Sequence, residues 1–112
     1  MTIFMKILRG EIPCTKVYEN EWVLAFDDVS PVAPVHVLVI PKIEVAGLNA
    51  IDASHTRMLG EILQAAKEVA RIKGIVDSGY RVVMNTGADG GQSVFHMHLH
   101  VLGGRGLSWP PG

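Results

Sequence analysis

Apolar and polar residues alternate most regularly near the C-terminus, where His96, His98 and His100 interleave with Met97, Leu99 and Val101. A period of two marks a strand, with the apolar members turned into a core and the histidines on the opposite, polar face. The rest of the chain yields a short series of elements. Thr2 can cap a helix in which Ile3, Phe4, Ile7 and Leu8 recur at helical spacing until Gly10 stops it. Val17-Tyr18-Glu19 and Trp22 to Phe26 read as a hairpin around Asn20-Glu21, ended by Asp27 and Asp28. Val35 to Ile40 is an apolar run suited to a central strand, and Pro41 closes it. Ile43 to Ile51 connects to a helix that Asp52 caps and that runs to about Lys73, with Gly74 as its stop. Met58, Leu59, Ile62, Leu63, Ala66, Val69 and Ala70 form its apolar stripe. Tyr80 to Asn85 is the next strand, joined through a glycine-rich turn to the histidine strand. This layout predicts an α+β fold, a five-stranded antiparallel sheet with one long and one short helix packed on one side.

Composition narrows the class. At 112 residues and 48% apolar, the chain suits one domain, residues 1–112, with a real core. Ten Lys and Arg against eleven acids give a net charge of −1, and no basic patch suggests long nucleic acids as partners. A single cysteine, Cys14, cannot form an internal disulfide and suits a reducing compartment; it reads as a small loop filler. No apolar run is long enough for a signal peptide or a membrane span, so a soluble, cytoplasmic protein is expected.

Three histidines in register can serve a metal, a hydrogen-bonded sheet face, or chemistry. An ion suits neighbours, but His96 and His100 would stand about 13 Å apart at the backbone, and no Cys-x-x-Cys or His-Glu-x-x-His pattern supplies further ligands. For chemistry, a neutral imidazole is a nucleophile or general base. The segment feeding the strand, Asn85-Thr86-Gly87-Ala88-Asp89-Gly90-Gly91-Gln92-Ser93, is rich in glycine. Such a turn can expose successive N–H groups to an anion, and Ser93 adds a hydroxyl. Alone it is an ordinary hairpin loop; beside the histidines it suggests phosphoryl or nucleotidyl transfer. Asp27 and Asp28 make either a solvated turn or a carboxylate for the hydroxyls of a ribose. His36, alone in an apolar strand, reads as a structural histidine.

The run His96 to Leu102 resembles the His-x-His-x-His motif of the histidine triad superfamily. Thr2-Ile3-Phe4, Gly10-Glu11-Ile12-Pro13, Asp28-Val29-Ser30-Pro31, His36, Ile40-Pro41-Lys42, Asp89 to Ser93 and Trp109-Pro110-Pro111-Gly112 are similar to its Hint branch, the histidine triad nucleotide-binding proteins. The resemblance covers nearly the whole chain. It implies a homodimer that joins two sheets into one, and a purine nucleoside phosphoramidase that needs no metal or cofactor. Such an enzyme hydrolyses the P–N bond of adenosine 5′-phosphoramidates, aminoacyl- or lysyl-AMP-type compounds included, through a nucleotidyl-histidine. By resemblance His98 is the nucleophile, with His96 orienting it, His100 stabilising charge, Ser93 relaying a proton and His36 in support. Ile3, Phe4, Ile7, Phe26, Asp27, Asp28, Val29, Asn85, Gly91, Gln92, Ser93, His98 and His100 fall at nucleotide-binding positions, with Asp28 on the ribose. Trp109 would reach the partner subunit's site. A titrating nucleophile would slow the reaction below about pH 6. The competing readings are a dinucleoside polyphosphate hydrolase, a nucleotidyltransferase (which usually carries glutamine where His100 stands) and a nucleotide-sensing interaction module with incidental turnover.

Overall fold

A computed structural model describes all residues, 1–112. Five antiparallel strands form one sheet in the order β1-β2-β3-β5-β4. They are β1 (Lys16–Glu19), β2 (Val23–Asp27), β3 (Val35–Pro41), β4 (Tyr80–Val83) and β5 (Leu99–Gly103). The helices are α1 (Ile3–Leu8) and α2 (Thr56–Ile72). The expected α+β architecture is present, with one correction. The helices do not share a side of the sheet; they cover opposite faces.

Strand alternation explains the division. Val23, Ala25, Val37, Val39, Leu99 and Val101 point to one face and pack with Met58, Ile62, Ala66 and Val69 of α2. Their neighbours Leu24, Phe26, Leu38 and Ile40 point the other way and pack with Phe4 of α1. The central strands are therefore apolar on both faces, which is why Val35 to Pro41 reads as an unbroken run. Phe4 is the main side chain that α1 buries, and truncating a ring so placed costs about 3–5 kcal/mol. Leu63, assigned to the stripe of α2 by spacing, is instead exposed.

The caps follow the sequence. Thr2 Oγ1 accepts from Met5 N–H at 3.2 Å and starts α1. Asp52 caps a single 3-10 turn, Ala53–His55, rather than α2 itself. His55 accepts the Asp52 N–H on Nδ1 at 3.0 Å, which gives this histidine a structural task.

The histidine strand is shorter than its alternation suggests. Its ladder with β3 runs from Val39↔Leu99 to Val35↔Gly103, and β4 pairs no further back than Val83↔His100. His96 to His98 lie upstream of the ladder. There Met97 N–H bonds the Val45 carbonyl instead of a neighbouring strand. β4 likewise stops at Val83, because the chain turns into the glycine loop.

Candidate active site

The three histidines share a face, as the alternation requires, but that face is not open. His96 is completely buried and His98 is 5% exposed. Phe4 is the lid: its ring meets His98 edge-on at 5.0 Å and His96 at 6.1 Å, with Phe26 at 5.7 Å beyond. A polar face thus becomes a second interior because α1 folds over it.

Hydrogen bonds fix each ring. His98 Nδ1 lies 2.8 Å from the His96 carbonyl, so Nδ1 donates and Nε2 keeps its lone pair. His96 Nε2 donates to the Pro41 carbonyl at 3.0 Å. His36 Nδ1 accepts the Val32 N–H at 3.1 Å, so the proton of a neutral His36 sits on Nε2. That Nε2 lies 2.8 Å from His100 Nδ1 and 3.3 Å from Asp28 Oδ2. His100 Nδ1 is then an acceptor, and its Nε2–H is left to donate. His36 belongs to the site's polar network even though its own strand is apolar.

Burial sets the charge of these groups. Desolvation, reinforced by His98 and His36 nearby and opposed by Asp28, pushes the His100 pKa down to about 4. Desolvation also lowers His96, against the pull of the Pro41 carbonyl. His100 is therefore a neutral donor near pH 7, in agreement with the hydrogen-bond chain that feeds it.

Outside the buried rings lies a cleft of about 570 Å³. Ile3, Phe4, Ile7, Phe26, Asp27, Asp28, Val29, Ser93, His98 and His100 line it, so ten of the residues singled out by sequence meet there. Ile12, Pro13, Cys14, Thr15, Leu38 and Val94 also line it. Cys14 is thus an exposed wall residue and not a filler, and partial burial raises its thiol pKa. Only its place after a loop proline could have signalled this. The cleft joins an apolar slot to a polar end with two imidazoles and a hydroxyl, which suits a flat base at one end and an anion at the other.

Asn85, Gly91, Gln92 and His96 do not line the cleft. The Gly91 N–H is spent on the Ala88 carbonyl and the Gln92 N–H on that of Gly87. The buried Gln92 side chain accepts from Gly87 N–H at 3.0 Å and donates to the Ala46 and Val94 carbonyls at 2.7 and 3.1 Å. It staples the glycine loop to the body. The adjacent acids also separate. Asp27 Oδ1 pairs with Lys73 Nζ at 2.9 Å, whereas Asp28 accepts Ser30 N–H at 2.8 Å and faces His36. Trp109 is 80% exposed and does not line the cleft of its own chain.

Asp28, His36 and His100 offer ligand atoms within 4.8 Å of one another, the one grouping suited to a metal. The donor set does not fit an ion as arranged. His36 Nε2 carries a proton and His100 Nδ1 receives it, so neither presents a free lone pair.

Comparison with known proteins gives a consistent picture. The HIT domain model matches residues 9–107. A purine nucleoside phosphoramidase of Escherichia coli K12 is 48% identical over 106 residues, which cover 95% of this chain and 89% of that protein. A 14 kDa zinc-binding protein of Zea mays is 53% identical over 113 residues, 99% of this chain and 88% of that one. The crystal structure of a HIT family hydrolase from Legionella pneumophila superposes with a TM-score of 0.97 at 46% identity, covering all of both chains.

Proposed function

Because the chain belongs to the HIT family, we propose that it is a purine nucleoside phosphoramidase that hydrolyses adenosine 5′-phosphoramidates to AMP. The observation that carries this reading is the pair of opposed tautomers, a bare His98 Nε2 beside a donating His100 Nε2–H at the polar end of the cleft. The base lies between Ile3, Phe4, Ile7 and Phe26. The ribose hydroxyls bond Asp28, and the α-phosphate faces the histidines. His98 Nε2 attacks phosphorus; a P–N bond to the ring forms as the P–N bond to the amine breaks. The amine leaves with a proton that the exposed Ser93 hydroxyl passes on from solvent water, and the attacking water of the second step returns one to solvent. His100 donates to a non-bridging oxygen as charge builds there. Water then attacks phosphorus, releasing AMP and restoring the neutral ring.

No step requires a metal, although the relative from Zea mays is a zinc-binding protein. We further propose a cytoplasmic homodimer, formed through the β4 edge, where Tyr80 and Val82 are exposed. The partner's tail would bring Trp109 to the cleft. The test is a single-turnover reaction with adenosine 5′-phosphoramidate, wild type beside His98→Ala, with chelator present. AMP release by the wild type alone, untouched by chelator, is the expected result. No release with AMP still bound would favour a nucleotide-sensing module.

A further inference from the structure

The tautomers at the phosphate end are set from outside the cleft, by the segment between β2 and β3. Its Val32 N–H is the group that claims His36 Nδ1 and so sends the His36 proton to Nε2, toward His100. Val32 itself is exposed. What holds its backbone comes from beyond β5. Arg105 Nη2 donates to the Val32 carbonyl at 3.0 Å, across 73 residues of sequence. Next to it, Gly104 adopts a φ of +87°, and a Cβ there would fall 2.8 Å from Pro34 Cβ. The bare backbone of Gly104 lets the loop containing Val32 close onto the start of Arg105's own loop. Arg105 does not line the cleft, and its hydrogen bonds go to the Gly106 and Val32 carbonyls.

We propose that Arg105 is a positioning residue: by holding the Val32 carbonyl it keeps the Val32 N–H on His36 Nδ1, and so aims the Nε2–H of His100 at the phosphoryl group. The order of bonds is Arg105 to Val32, Val32 to His36, His36 to His100. Without the first, the loop keeps the buried Ala33, the Asp28 N–H bond to the His36 carbonyl and the Ser30 N–H bond to Asp28, but nothing holds the Val32 carbonyl. His36 can then turn or take its other tautomer, and His100 Nδ1 loses the donor that defines it. A lysine reaches the same carbonyl with one N–H and replaces the contact in part.

This inference rests on the proposed reaction for its kinetic arm only. Long-range ¹H–¹⁵N spectra of the substrate-free protein read the tautomers of His36 and His100 directly. The wild type is expected to show Nε2–H on both. Arg105→Met is expected to mix the tautomers of His36, and Arg105→Lys to restore most of the wild-type pattern. With adenosine 5′-phosphoramidate, kcat of Arg105→Met should fall roughly tenfold to a hundredfold, as for other groups that orient a functional imidazole, with KM and melting temperature unchanged. Arg105 is exposed, so the variants are expected to fold. Unchanged tautomers in Arg105→Met would overturn the proposal whatever the kinetics. Mixed tautomers with an unchanged kcat would overturn its catalytic part. A wild type that shows both Nε2–H tautomers but no turnover would instead overturn the phosphoramidase reading and leave the tautomer arm to decide on Arg105.

Discussion

The His98 ring directs Nδ1 at the carbonyl of His96, 2.8 Å away, and this bond decides which nitrogen can react. A backbone carbonyl only accepts, so Nδ1 must carry the proton and Nε2 must be bare. A nucleotidyl adduct is therefore expected on Nε2 of His98. A rapid acid-free quench with a slowly hydrolysed phosphoramidate, read by peptide mass spectrometry and ³¹P–¹⁵N coupling, checks the position. His98→Ala should carry no adduct and lose about six orders of magnitude in rate, as for loss of a nucleophile elsewhere, while calorimetry still detects AMP. An adduct on Nδ1, or on another histidine, would contradict the geometry.

Stability should fall on mild acidification. His100 takes up a proton near pH 6.5 when unfolded but only near about 4 when folded. Between those values the unfolded chain binds more protons, so acid favours unfolding. The contribution is whole above about pH 6.5 and is lost as the pH drops toward 4. His100 is only partly buried, so solvent screening reduces the full worth of this shift to on the order of 1–2 kcal/mol, and His96, lowered by the same burial, acts in the same direction. The urea midpoint should drop between pH 7 and pH 5, and His100→Gln should flatten that slope. A midpoint that held constant would refute the buried neutral state.

The alternation of His96 to Val101 made the site legible because a period of two is a property of the backbone. The limits of the ladder were not legible, since they depend on where β3 and β4 end. Nor was the burial of His96 and His98. Nothing within the triad indicates that Phe4, more than ninety residues away, closes over it. The role of the glycine loop was read in part. Glycine spacing suggested free N–H groups, but those of Gly91 and Gln92 close the loop on itself. The task of Gln92 rests on contacts with Ala46, forty-six residues upstream, which no local pattern encodes.

Adjacent acids should behave differently. The Asp27 carboxylate is paired with Lys73, and both are partly exposed; such pairs contribute at most about 1 kcal/mol. Asp28 faces His36 and the cleft. Asp28→Asn removes a charged acceptor from the ribose site, a hydrogen bond worth about 1.5–3 kcal/mol. The KM for adenosine 5′-phosphoramidate should rise by about tenfold or more. Asp27→Asn should leave KM within about twofold, because its carboxylate, although at the cleft wall, is paired with Lys73. Equal effects of the two substitutions would show that Asp27 turns to the nucleotide once it binds.

The glycine loop can be tested by a single methyl group. A Cβ on Gly90 would lie 2.4 Å from the Thr86 carbonyl oxygen and 3.0 Å from its nitrogen, both backbone atoms that cannot swing aside. Gly90→Ala must open the loop, and Ser93 lies three residues on, at the cleft. A displacement of about 1 Å at reacting groups can cost about a hundredfold in rate. Turnover should therefore collapse while the melting temperature changes little, since the loop tip is exposed and the core is untouched. Gly60 supplies the contrast. It is exposed on α2, and a Cβ there meets nothing within 4 Å. Gly60→Ala should raise stability by about 0.5–1 kcal/mol through helix propensity and leave turnover unchanged. If Gly90→Ala also turned over normally, Ser93 could not depend on the loop for its place, and its part in moving the proton would have to be given up.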